Sequence, residues 1–263
     1  MTFISETLRK KNSRCALIPF ITAGYPSLSS TKKALYVLDN KGADIIELGI
    51  PYSDALADGP IIQESSRIAL EQGICIDQIL NMLKTVSSNL RSPIIIFTYY
   101  NPVLARGIEQ FIVDIADSGA RGLIIPDLPL EETDYLIKLC TRFDIELILF
   151  ISPTSSQIRI DSILSKSPGC IYLVSSYGVT GVRDQISIQI DKLAKQIKSK
   201  ADKFIMLGFG ISSPEQVAEI ANWHIDGIVI GSALIRTMLN KSHVAAIDSL
   251  SYSCETFRIA IDK

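Results

Sequence analysis

Eight short runs rich in Ile, Val and Leu recur along the whole chain, each followed by a loop and a segment of helical periodicity. The runs fall at 16–22, 45–49, 93–99, 122–126, 145–151, 170–175, 204–208 and 227–231. Nearly continuous apolar strands are what a parallel sheet covered by helices requires. The intervening amphipathic segments are read at 30–39, 77–89, 108–117, 131–142, 157–165, 188–198 and 214–221, with a closing helix at 244–261. In 131–142, Leu136, Ile137, Leu139 and Cys140, with Phe143 just beyond, make an apolar stripe while Glu131, Glu132, Lys138 and Arg142 face water. Ser213-Pro214-Glu215 supplies a cap residue, a first-turn proline and an early acid.

The alternation admits one closed barrel or an open doubly wound sheet. The length of 263 residues lies between one domain and two, since (β/α)₈ barrels run to about 250 residues in a single unit. Eight strands, no Pro/Ser/Gly-rich linker and no Gly-rich first turn favour the barrel. The expectation is therefore an α/β protein, a single (β/α)₈ TIM barrel over residues 1–263 with extra helices. The widest gap, between the second and third strands, holds a long loop at 50–60 and an added helix.

Charge and special residues remove several functions. A net charge of −2 gives no basic excess for nucleic acid or a membrane surface. The apolar runs are far shorter than the ~18 residues of a membrane span. Arg9, Lys10, Lys11 and Arg14 are followed by no apolar stretch of secretory type. The expected compartment is the cytoplasm, or a plastid stroma for an organelle-encoded chain. Five scattered cysteines form no CxxC pair and read as buried, reduced thiols. His224 and His243 lack partners at ligand spacing, so no metal is expected.

In such barrels the chemistry sits at the C-terminal ends of the strands. Tyr99 and Asp127 are among the polar residues there, but Glu47 stands out. Alternation puts Ile45, Glu47 and Gly49 on one strand face, and Gly49 suits the crowded interior. A carboxylate buried there is either part of a structural salt bridge or functional. Asp58, before Gly59-Pro60, is either a turn-forming residue or a second functional acid. Gly208-Phe209-Gly210 after the seventh strand and Gly231-Ser232-Ala233 after the eighth stand at the recurrent phosphate position of this fold. Glycines let backbone N–H groups approach an anion there, although turn formation also accounts for them. The stretch 175–184, with Gly178 and Gly181, suits a lid or an ordinary loop. No lysine ends a strand, which disfavours a Schiff-base aldolase, and no histidine cluster supports a metal-dependent one.

The segment Ile46-Glu47-Leu48-Gly49-Ile50-Pro51-Tyr52-Ser53-Asp54-Ala55-Leu56-Ala57-Asp58-Gly59-Pro60 closely resembles the signature of the tryptophan synthase α chain family. Pro19-Phe20-Ile21-Thr22-Ala23-Gly24-Tyr25-Pro26, Tyr172-Leu173-Val174-Ser175, Gly178-Val179-Thr180-Gly181, Gly208-Phe209-Gly210-Ile211-Ser212 and Gly231-Ser232-Ala233 extend it in family order. The resemblance implies retro-aldol cleavage of indole-3-glycerol phosphate to indole and glyceraldehyde 3-phosphate, with no cofactor. It implies Glu47 as general acid/base and Asp58 as the group holding the indole N–H. Phe20, Tyr172 and Phe209 would line the indole pocket. Gly181, Gly210, Gly231 and Ser232 would bind phosphate, and Thr180 would close over Asp58. A tryptophan synthase β chain would be the partner in an αββα complex. Its contact loops would be Asp54-Ala55-Leu56, Asn101-Pro102 and Asp127-Leu128-Pro129.

Two residues depart from the family pattern. Ala55 stands where proline is usual, which implies a less rigid loop, and Phe97 replaces a smaller aliphatic beside the pocket. Other phosphate-binding barrel enzymes, such as a sugar-phosphate epimerase or a flavin oxidoreductase, and a non-catalytic regulatory subunit remain alternatives.

Overall fold

The computed structural model describes residues 3–11, 13–174 and 183–263. Its elements run α1 (Phe3–Lys10), β1 (Ala16–Thr22), α2 (Leu28–Asn40), β2 (Ile46–Gly49), α3 (Pro60–Glu71), α4 (Ile76–Val86), β3 (Ile94–Phe97) and α5 (Tyr100–Arg106). They continue α6 (Ile108–Asp117), β4 (Ala120–Ile124), α7 (Thr133–Arg142), β5 (Glu146–Ile151), α8 (Gln157–Lys166), β6 (Cys170–Val174) and α9 (Arg183–Lys200). The last are β7 (Phe204–Gly208), α10 (Pro214–Ile220), β8 (Gly227–Ile230), α11 (Ser232–Met238) and α12 (His243–Asp262).

All neighbouring strands pair in parallel, and β8 returns to β1, so the sheet is a closed eight-stranded (β/α)₈ barrel. Strand residues are buried almost throughout, as helices outside and side chains inside both demand. Helix starts follow local chemistry. Ser27 caps α2, Ser156 caps α8, and Ser213 with Gln216 forms a reciprocal capping box ahead of Pro214 in α10.

Three local features differ from the sequence reading. The fourth strand begins at Ala120, not at 122, because Gly119 (φ 91°) finishes the preceding turn at once. A register shift at Ile94/Ile95 then lets Ala120 pair with Ile94. Asn101-Pro102 is not a loop but the first turn of α5, where the missing proline N–H goes unused. The third is α1, which that reading left without structure. Its Ile4 and Leu8, four residues apart, are fully buried at the N-terminal mouth of the barrel. Gly122 makes room for it, since a Cβ there would stand 3.1 Å from Ile4. The buried Glu146 carboxylate fastens the plug, accepting from Ser5 N (3.0 Å), Ser5 Oγ (2.7 Å) and Cys170 N (2.7 Å).

Four of the five cysteines are buried and free as expected. Cys75 is the exception, exposed at the cap of α4. Among the described residues no His/Cys/Asp/Glu group could hold a metal, and no helix is long and apolar enough to cross a membrane.

Candidate active site

A cavity of about 910 Å³ opens at the C-terminal mouth of the barrel. Strand alternation aims Phe20 from β1, Glu47 from β2, Phe97 from β3, Tyr172 from β6 and Val229 from β8 into it. Loops and helix starts complete it with Asp58, Phe209, Gly210, Gly231 and Ser232. The structure thus gathers eight sequence-predicted residues around one space. Thr180 and Gly181, together with the stretch 175–182 of the expected lid, lie outside the described residues.

Glycine placement makes the space possible. A Cβ on Gly49 would stand 2.6 Å from the Phe20 ring, and one on Gly208 would stand 2.0 Å from the Tyr172 hydroxyl. Both contacts are far inside van der Waals range, so the two aromatic rings occupy volume that only glycine leaves free. The rings then brace one another. Phe20 meets Phe97 edge-on with centroids 5.6 Å apart, and Tyr172 packs on Phe150 (4.8 Å) and Phe209 (5.6 Å). Phe209 and Gly210 both hold positive φ (70° and 79°), and the non-glycine case is a strained conformation at the cavity edge. Gln216 Oε1 accepts from Ser212 N (3.0 Å) and Ser213 N (3.2 Å), which pins the rest of that loop.

Glu47 is 1% exposed, and its Oε2 has no hydrogen-bond partner among the described residues. The salt-bridge reading therefore fails, since a structural ion pair would satisfy that oxygen. Burial, reinforced by the nearby negative charge of Asp58, raises the Glu47 carboxyl from 4.5 to about 8. Asp58 is half-buried and raised from 3.8 to about 6, again chiefly by burial, with a hydrogen bond from Tyr99 opposing the rise. Near neutrality the pair holds one protonated and one ionised carboxyl, the pattern that separates an acid from an anion. Tyr172, buried against both acids, is pushed well above the ordinary tyrosine range.

Tyr99 organises the loop between β2 and α3. Its hydroxyl accepts from Ala57 N (3.1 Å) and bonds Asp58, and its ring packs on Tyr52 at 5.2 Å. The Ala55 carbonyl accepts from Asp58 N (3.1 Å) and Gln63 Nε2 (3.2 Å), so hydrogen bonds tether the loop at the position lacking a proline. Asp54 and Leu56 project to solvent, Leu56 at 92% exposed, while Ala55 itself is buried. Beside them Asn101 and Asp127 are exposed, as is Pro129, and Leu128 and Pro102 are partly covered. Asn101 Nδ2 donates to the Tyr52 hydroxyl (3.2 Å), and Asp127 Oδ1 accepts from Tyr100 N (2.8 Å).

Two lining features escape the sequence reading. Ile62 reaches the cavity from the start of α3, and Arg236 from α11. Only the spacing of Arg236, one helical turn beyond Ser232, could have indicated it.

A closed (β/α)₈ barrel with two carboxyl side chains and two glycine loops around one cavity at its C-terminal mouth has the architecture of a barrel enzyme. The sequence model of the tryptophan synthase alpha chain family matches residues 6–261. The tryptophan synthase alpha chain of Gracilaria tenuistipitata var. liui is 60% identical over 261 residues, covering 99% of this chain and 97% of that one. The solved alpha subunit of tryptophan synthase from Legionella pneumophila str. Paris superimposes with a TM-score of 0.89 at 32% identity, over 100% and 99% of the two chains. A structure of the tryptophan synthase α2β2 complex of Pyrococcus furiosus gives a TM-score of 0.85 at 32% identity, over 94% and 98% of the two chains. The chain belongs to the tryptophan synthase alpha chain family and is a lyase.

Proposed function

We propose that this chain cleaves indole-3-glycerol phosphate to indole and glyceraldehyde 3-phosphate. The observation that carries the reading is the buried carboxyl of Glu47, raised to about 8 and with its Oε2 lacking a partner among the described residues, facing a cavity shared with Asp58.

The chemistry follows from that pair. Glu47 gives its proton to indole C3, turning the ring into an iminium-like tautomer with positive charge at nitrogen. The Asp58 carboxylate accepts the ring N–H and stabilises that charge. Glu47, now a carboxylate, takes the proton of the glycerol hydroxyl adjacent to the ring. The carbon–carbon bond breaks, its electron pair returns to the ring nitrogen, the alcohol carbon becomes the aldehyde, and Glu47 ends protonated as it began. Phe20, Tyr172 and Phe209 sandwich the indole. Backbone N–H groups of Gly210, Gly231 and Ser232 take the phosphate. A residue range of 1–263 folding as one unit suits this use, because strands from β1 to β8, both ends of the chain order, line one cavity.

The partner in this reading is a tryptophan synthase β chain, docked on Asp54-Ala55-Leu56, Asn101-Pro102 and Asp127-Leu128-Pro129. Those segments lie on the face of the site, and Tyr52 and Tyr99 link Asn101 to Asp58. Partner binding can therefore bias the loop that carries the second acid.

The test is indole release from indole-3-glycerol phosphate, with and without a β chain. Glu47→Gln is expected to lose at least the ~10²–10⁴-fold typical of general acid–base catalysis. Near-wild-type release by that variant removes the proposed role, and no release by the wild type in either setting points to a non-catalytic subunit.

A further inference from the structure

Of the described residues lining the cavity of Glu47 and Asp58, Arg236 alone carries a positive charge. It stands four positions beyond Ser232 on α11, so both side chains share one helix face at the cavity wall. Ala233, Leu234, Ile235 and Met238 on the remaining faces are buried in the barrel wall, which fixes the base of the Arg236 side chain. Arg236 is exposed and forms no ion pair among the described residues. By contrast, Arg67, Arg91, Arg106 and Arg258 are each tied to a carboxylate.

A phosphate dianion entering this cavity meets the carboxylate of Asp58 and gains nothing from a chain whose net charge is −2. A guanidinium with no ion pair among the described residues, at the wall beside Gly231 and Ser232, is the local group able to offset that repulsion. Its planar donor fork also matches two phosphate oxygens, which an ammonium does not. We propose that Arg236 is a phosphate-recognition residue of this site, selecting phosphorylated three-carbon head groups over their uncharged counterparts. The inference rests on the functional reading above for the identity of the substrate, but not for the anion site itself.

The experiment measures binding of sn-glycerol 3-phosphate and of indole to the full chain, beside steady-state cleavage, for wild type, Arg236→Gln and Arg236→Lys. Arg236→Gln is expected to weaken glycerol 3-phosphate about 5- to 15-fold, the size of one partly solvated charge-assisted pair. It should also flatten the salt dependence of that binding and raise KM with kcat nearly unchanged. Indole affinity should not move, and Arg236→Lys should recover part of the loss. Unchanged glycerol 3-phosphate affinity in Arg236→Gln overturns the proposal, and so does an equal loss of indole affinity, which signals disturbed packing. Wild type that releases no indole but binds glycerol 3-phosphate through Arg236 refutes the lyase reading alone. Wild type that releases indole while Arg236→Gln keeps its affinity refutes the Arg236 proposal alone.

Discussion

Replacing Glu47 by glutamine should make the folded chain more stable near neutrality while it destroys catalysis. The folded state holds this carboxyl at about 8 against 4.5 in the ordinary solvated state. Below about pH 4.5 the group is neutral in both states and contributes no difference. As pH rises above that value the unfolded chain ionises freely while the folded chain keeps its proton, so wild-type stability falls with pH. The loss reaches about 3 kcal/mol by roughly pH 7 and levels off near 5 kcal/mol above about pH 8, at ~1.4 kcal/mol for each pH unit. Glutamine carries no such term, and any cost of burying its amide is constant with pH. Denaturation of both proteins in urea from about pH 4.5 to pH 8.5 isolates Glu47 and its coupling to Asp58, since groups not coupled to Glu47 cancel in the difference. The stability gap should widen by about 3 kcal/mol between roughly pH 4.5 and pH 7, equivalent to about 6–12 °C in Tm for a chain of this size. A gap that stays flat across the range would mean that Glu47 ionises normally in the barrel, and its role as the acid would lose its physical basis.

The profile of kcat/KM should be bell-shaped, with an acid limb near about 6 as Asp58 gains a proton and an alkaline limb near about 8 as Glu47 loses one. Tyr99→Phe removes the hydrogen bond that holds Asp58 down, so its acid limb should move to higher pH; a limb that stays put refutes that role for the hydroxyl. Gly208→Ala drives a Cβ to 2.0 Å from the Tyr172 hydroxyl. Displacement of that ring should cost about 1–3 kcal/mol in denaturation and lower indole release, and a full-activity variant would show that the cavity wall yields. Leu56→Asp should weaken association with a β chain by at least about tenfold while leaving chain stability within about 0.5 kcal/mol, read by titration and melting; unchanged association would move the contact surface elsewhere.

The parts of this molecule legible in its sequence are those governed by neighbours along the chain. Strands announce themselves because both faces of each are buried, so β1 and β7 are read to the residue. Glu47 is legible because a charge interrupts such a run, two positions before a glycine on the same face. What escapes depends on contacts between distant segments. The helix α1 is short and charged, and its seat depends on Gly122 and Glu146, residues far along the chain. The start of β4 moves by two residues because pairing with Ile94 outweighs the local turn signal. Asp58 is the instructive case: its position before Gly59-Pro60 supports a simple turn, and the backbone does turn there. Its side chain, however, is bonded by Tyr99 from the segment after β3 and half-buried in a cavity already holding Glu47. The difference between a turn residue and the proposed catalytic anion is thus set by residues that sequence proximity does not connect. For the same reason the two acids acquire distinct proton affinities only when the barrel closes, and folding itself assigns one to carry the proton and the other the charge.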